Sequence, residues 1–187
     1  MKFIDVTDHP GWQYISGHPK TRIYKTSTIG KYAKVSENAK VYGKAEVYGN
    51  AKVSEWSRIS GKAEVYEYAK IWENAQVYGN AKVYGNAEIY GLSCIAGNAE
   101  VYGNARIRGN GEILKTEDYL EIQSPDVYAK YITLHRDTKI GIRINCGGCS
   151  ETLEEYIYEH RELDHQYFHQ GMMTKYYNML KNRMTPL

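Results

Sequence analysis

Histidine is absent between His18 and His135 of this 187-residue chain, so the middle of the sequence holds no imidazole base or ligand. Cysteine is scarce as well. Cys94, Cys146 and Cys149 make an odd count, which argues against a disulfide framework and agrees with a reducing compartment. Phenylalanine occurs twice against nineteen tyrosines, so large side chains with a polar tip, suited to half-buried ladders and interfaces, replace those of a dry core. No apolar run approaches the length of a membrane span, and Met1–Pro19 lacks the charged-then-apolar plan of a signal peptide. The expectation is a cytoplasmic protein with no membrane contact. Charge of either sign is not in excess: the net charge is +2, and residues 23–115 hold thirteen Lys or Arg against nine Asp or Glu. That surplus is too small for a nucleic-acid footprint, and no nucleic-acid partner is expected.

What the chain does have is a period. From Ile23 through Ile29, Val35, Val41 and onward to Ile107 and Ile113, an Ile or Val stands at every sixth residue, followed four positions later by Ala, Ser or Gly. The unit reads V-Y-G-N-A-K. The β-branched residue suits a strand, the small residue leaves room at a corner, and Gly or Asn tolerates a left-handed backbone at the turn. Such a unit cannot bury its apolar side alone and must stack on its neighbours as a solenoid. Residues 1–22, with His9-Pro10 and His18-Pro19, read as an N-terminal cap with one strand near Lys2–Val6. Residues 116–187 read as a small C-terminal ββαα unit. Its hairpin is formed by Val127–Leu134 and Ile140–Asn145, a Thr152/Glu155 capping box starts one helix, and a second covers about Gln166–Arg183. Residues 115–126 read as a linker or an irregular last coil.

The array resembles the hexapeptide-repeat proteins, and that resemblance implies a mainly β chain built on a left-handed parallel β-helix. It has three faces and eighteen residues per coil, about five coils here. The tyrosine-rich hexads, with Tyr131–Arg136 and Thr152–Tyr156, further resemble transferase-like hexapeptide proteins of phages and prophages. The resemblance implies a homo-oligomer, with a trimer favoured, and carries over no active site.

Stacking residues eighteen apart groups the outward side chains. One face carries Tyr48, Tyr66, Tyr84 and Tyr102 beside mostly acidic residues; another carries Lys34, Lys52, Lys70, Arg106 and Arg108 beside Trp72 and Tyr90. Ladder stabilisation by neighbouring side chains is one reading. The other is an interface or groove, where Tyr or Trp stacks on a ring and Lys or Arg neutralises an anion. At one corner Trp56 and Leu92 replace Asn, which points to packing against a cap, the tail or a second subunit, a ligand contact being the alternative. Cys146 and Cys149 have zinc-knuckle spacing, and His165 and His169 stand four apart on a helix; these four are candidate structural-zinc ligands, a glycine turn with incidental thiols being the alternative. Many proteins of the family transfer acyl groups from acetyl-CoA with a histidine base and an inserted loop. This array has neither histidine nor insertion. The expected function is therefore a noncatalytic oligomeric binding protein holding a nucleotide-like anion in grooves between subunits, plausibly a phage accessory or counter-defence factor. A structural scaffold or host-protein-binding module and a hexapeptide acyltransferase are the alternatives. No catalytic residue and no cofactor is assigned.

Overall fold

The computed structural model describes residues 2–7, 9–123, 131–146, 149–159 and 166–183. The periodic stretch forms a parallel β-solenoid of about five coils with three sheets. Each hexad contributes a strand of only two residues, because the polar residue and the Ile or Val after it extend while the next four turn the corner. Fifteen such strands, β4 to β18, run from Thr28–Ile29 to Glu112–Ile113. Register is eighteen residues throughout: Lys34 lies on Lys52, Lys52 on Lys70, Lys70 on Glu88 and Glu88 on Arg106. The first face stacks Arg22, Lys40, Arg58, Gln76, Cys94 and Glu112; the second stacks Thr28, Glu46, Glu64, Lys82 and Glu100. The third holds the lysine column.

The interior is one column of aliphatic residues per face with a column of alanines at each corner, nearly all fully buried. Each Ile or Val removed from water contributes about 1.5–3 kcal/mol, and period six is what keeps all of them inside. Ser57 and Ser93 take the alanine position after Trp56 and Leu92, and each buried hydroxyl donates to the carbonyl three residues earlier, at 2.6 Å. Corner residues need positive φ. Glycine supplies it at most corners, while Glu37, Glu55, Glu67 and Glu73 adopt φ of 55–58°.

Both ends of the array are finished by different devices. At the start, β1 (Phe3–Asp5), β2 (Trp12–Ile15) and β3 (His18–Tyr24) form an antiparallel meander. β3 continues into the array, pairing in parallel with Lys40–Val41. The cap thus holds three strands where the sequence suggested one. Within the array, backbone N–H groups donate to carbonyls seventeen residues later, as Lys34 does to Ala51 at 2.8 Å. The last coil has no next coil, and side chains supply the acceptors. Glu100, Tyr102 and Asn104 donate to Thr116 Oγ1, the Tyr119 hydroxyl and Glu121 Oε2. Arg106, Arg108 and Asn110 donate to Thr133 Oγ1, His135 Nε2 and Asp137 Oδ2 at 3.0, 3.4 and 3.1 Å. Alternate residues of one strand therefore imitate a further coil.

That strand belongs to a four-stranded antiparallel sheet, β19 (Tyr119–Gln123), β20 (Tyr131–Asp137), β21 (Gly141–Cys146) and β22 (Cys149–Glu151). The tail has four strands, not two, because Tyr119–Gln123, read as linker, supplies both capping side chains and a partner for β20. Residues 127–130 of the expected first hairpin strand lie outside the described residues. Helix α1 (Leu153–Glu159) starts at the expected capping box: Thr152 N–H donates to Glu155 Oε2 at 2.8 Å, and Glu155 N–H to Thr152 Oγ1 at 3.2 Å. Helix α2 (Gln166–Arg183) buries Met173 and Leu180 in a second core with Ile132, Leu134, Ile142, Ile144 and Tyr156.

Candidate functional site

The fold distributes the candidate residues over two faces. Tyr48, Tyr66, Tyr84 and Tyr102 stand on the second face as a stack with centroids 4.9, 4.9 and 5.3 Å apart. The Tyr48 and Tyr84 hydroxyls donate to Glu64 and Glu100 in the following coil. Partial burial, reinforced by those carboxylates, pushes both phenols up to about 12. Within the stack each ring covers its neighbour, so no planar ligand enters between them. Stacking contributes about 0.5–1.5 kcal/mol per pair beyond burial, and the ladder stabilises the prism.

Trp72, Tyr90, Lys52, Lys70, Arg106 and Arg108 share the third face. Trp72 stacks on Tyr90 at 4.4 Å and 7°, and the Arg108 guanidinium lies 5.6 Å from the Tyr90 centroid. Glu88 bridges Lys70 Nζ, at 2.8 Å, and Arg106 Nε, at 3.2 Å. Above it Lys34 and Lys52 meet no carboxylate within ion-pair reach among the described residues. Like charges in direct register oppose the fold, each adjacent pair by something under about 1 kcal/mol in water. A neighbouring cavity of about 390 Å³ is lined by Tyr32, Lys34, Asn50, Lys52, Tyr68 and Lys70, with Asn86 and the Glu88 carboxylate completing it. Tyr32 and Tyr68 are 65% and 61% exposed. Sequence reasoning passed over both, although their signal was present: they replace the corner Asn of their column and stand thirty-six residues apart.

Other candidates are committed to structure. Trp56 and Leu92 are each 61% exposed, so neither cap nor tail covers them among the described residues. A cavity of about 320 Å³ by α2 is lined by Thr116, Tyr119 and Glu121, whose polar atoms already accept from the last coil. His135 is fully buried, its Nδ1 2.8 Å from the Arg136 carbonyl; burial drives its pKa down to about 4, so it is neutral and remote from any groove. Burial raises the Cys94 thiol, which lies 3.2 Å from the Tyr78 hydroxyl, so no activated thiolate forms. Cys146 is buried, and its backbone opposes Cys149 across β21 and β22. The side chains of Cys149 and His169, and all of His165, lie outside the described residues. Among those described, no three His, Cys, Asp or Glu gather where a metal could bind, and no helix is long and apolar enough to cross a membrane.

No family model, curated protein or solved structure matches the chain. The class is therefore defined by the fold itself: a mainly β protein with a parallel β-solenoid of about five coils, closed by an antiparallel sheet and two helices.

Proposed function

We propose that this is a noncatalytic, homo-oligomeric binding protein that holds a nucleotide-like anion against the third face of its solenoid. The observation that carries this reading is the lysine column, Lys34 on Lys52 on Lys70, which reaches its first carboxylate only at Glu88. A bound phosphate would relieve the repulsion that the fold sustains there, and charge-assisted hydrogen bonds from lysine are the strong kind. Trp72 and Tyr90 add aromatic surface on the same face. The exposed Trp56 and Leu92 corner supports contact with a second copy, in a trimer, so that the lysine face borders a groove between subunits. The resemblance of the tyrosine-rich hexads to transferase-like phage proteins supports a cytoplasmic accessory or counter-defence role. An acyltransferase would need an accessible base on the array, and no histidine occurs there.

Native mass spectrometry of gently purified protein, before and after denaturation, tests the proposal. A trimer carrying an anionic mass that denaturation releases is the expected result. A ligand-free oligomer that binds neither nucleotides nor acetyl-CoA would refute the binder and favour the scaffold.

A further inference from the structure

The aromatic ladder of the second face shows what one ring per coil does: rings eighteen residues apart stack at 4.9 Å. The corner between the second and third faces carries a ladder of a different spacing. Its column reads Tyr32, Asn50, Tyr68, Asn86 and Asn104, so two exposed tyrosines stand two coils apart with Asn50 on the rung between. Two rungs span roughly 9.6 Å. A flat ring lying on the Asn50 rung would meet a tyrosine on either side at about the spacing the protein uses within its own ladder.

We propose that Tyr32, Asn50 and Tyr68 form a ring-binding slot and that Lys34, Lys52 and Lys70 beside it hold the phosphate of the same ligand. The ligand class is a nucleoside phosphate. This rests on the anion-binding reading and adds where the ring sits. Each lysine follows its column residue by two positions, opening the strand just after the corner, and both columns line the same cavity. Asn80 donates to Asn98 at 2.9 Å and Asn86 to Asn104 at 3.5 Å, whereas the Asn50 amide has no side-chain partner among the described residues. Its donor and acceptor suit the edge of a base. Lys31 adds a cation 5.2 Å from the Tyr32 ring. Glu67 Oε2 accepts from Gly85 N–H at 2.9 Å, and Glu88, at the far end of the same cavity, is held by Lys70 and Arg106, so Lys34 and Lys52 are the cations that meet no carboxylate among the described residues.

The decisive variant is Asn50→Tyr. Tyrosine already occupies the equivalent position in the coils above and below, so the substitution fits the backbone and fills the slot with the protein's own ring. Calorimetric titration of AMP, GMP, CMP and UMP, with the matching nucleosides and inorganic phosphate, should show at least one monophosphate binding more tightly than its nucleoside or phosphate alone. Asn50→Tyr, and separately Tyr32→Ala with Tyr68→Ala, should weaken that binding about tenfold or more, consistent with base stacking on aromatic side chains. Asn50→Tyr should do so with its melting temperature retained or raised. Binding that survives Asn50→Tyr but is lost in Lys52→Glu would overturn the slot and leave the anion binder standing. Equal affinity for phosphate and nucleotide would also overturn it. Wild-type protein that binds none of these probes would sink both.

Discussion

Lowering the pH should loosen the C-terminal end of the solenoid through one residue. His135 accepts the Arg108 N–H through Nε2, and its Nδ1 faces the Arg136 carbonyl, so the folded protein requires the neutral ring. Burial is the largest cause of its depression to about 4 from the ordinary 6.5; Arg143 and Arg108 add to it, while the Arg136 carbonyl and Asp137 oppose it. The unfolded chain therefore takes up the proton first. Stability from this group is complete above about pH 6.5 and falls away as the pH drops toward 4. Between pH 7 and pH 4.5 the loss is about 2 kcal/mol, a large share of the 5–15 kcal/mol typical of a domain. His135→Gln retains an acceptor for Arg108 and a donor for Arg136 but does not titrate. Urea unfolding of both proteins at several pH values isolates the histidine's contribution, because the carboxylates are common to the two and subtract out. Hydrogen exchange at the amides of Arg106, Arg108 and Asn110 would locate the loss. Wild-type and variant profiles that run parallel to within about 1 kcal/mol would mean that burial does not hold this ring neutral.

Three other outcomes are expected. Lys52→Glu should raise stability by a few tenths to 1 kcal/mol by replacing repulsion with attraction to Lys34 and Lys70, while abolishing nucleotide binding; a destabilised variant in thermal melts would refute the account of the column. Asp137→Ala should cost about 3 kcal/mol in urea unfolding, because it removes the carboxylate that Arg143 meets at 2.7 Å and that accepts from the N–H groups of Asn110 and Lys139. A loss below 1 kcal/mol would mean that water replaces the carboxylate. Ile71→Ala, at a fully buried site in the central coils, should cost about 2–5 kcal/mol by calorimetry, and a near-neutral result would imply that adjacent coils collapse into the space.

The array was legible because Ile or Val at every sixth position admits one burial pattern, and the eighteen-residue stack of Lys34, Lys52 and Lys70 followed once three faces were assumed. The closure was not. Thr133, His135 and Asp137 alternate with Ile132, Leu134 and Arg136 along a strand buried on both faces, and only their alignment with Arg106, Arg108 and Asn110 reveals them as carbonyl substitutes. Thr116, Tyr119 and Glu121 were hidden in a stretch without periodicity. Among the candidate residues, charge column and ring ladder were readable, but whether a ring face is open depends on what occupies the next rung. Tyr66 lies between two tyrosines; Tyr68 lies between two asparagines. Tyr32 and Tyr68 look like irregularities of the consensus until they are placed two coils apart.

Side-chain closure of the last coil travels with that coil, so the count of coils is felt in the outward columns instead. Removal of eighteen residues from the middle, for example 59–76, shortens the prism by one storey and presents Thr133, His135 and Asp137 with the same three amides as before. Removal of six turns everything downstream by a third of a revolution; Arg106, Arg108 and Asn110 turn together with Thr133, His135 and Asp137, so the closure survives, but the side-chain columns before and after the cut no longer match. Changes of whole storeys therefore keep every column intact, whereas a fractional one sets the tyrosines, lysines and acids of one column against those of another.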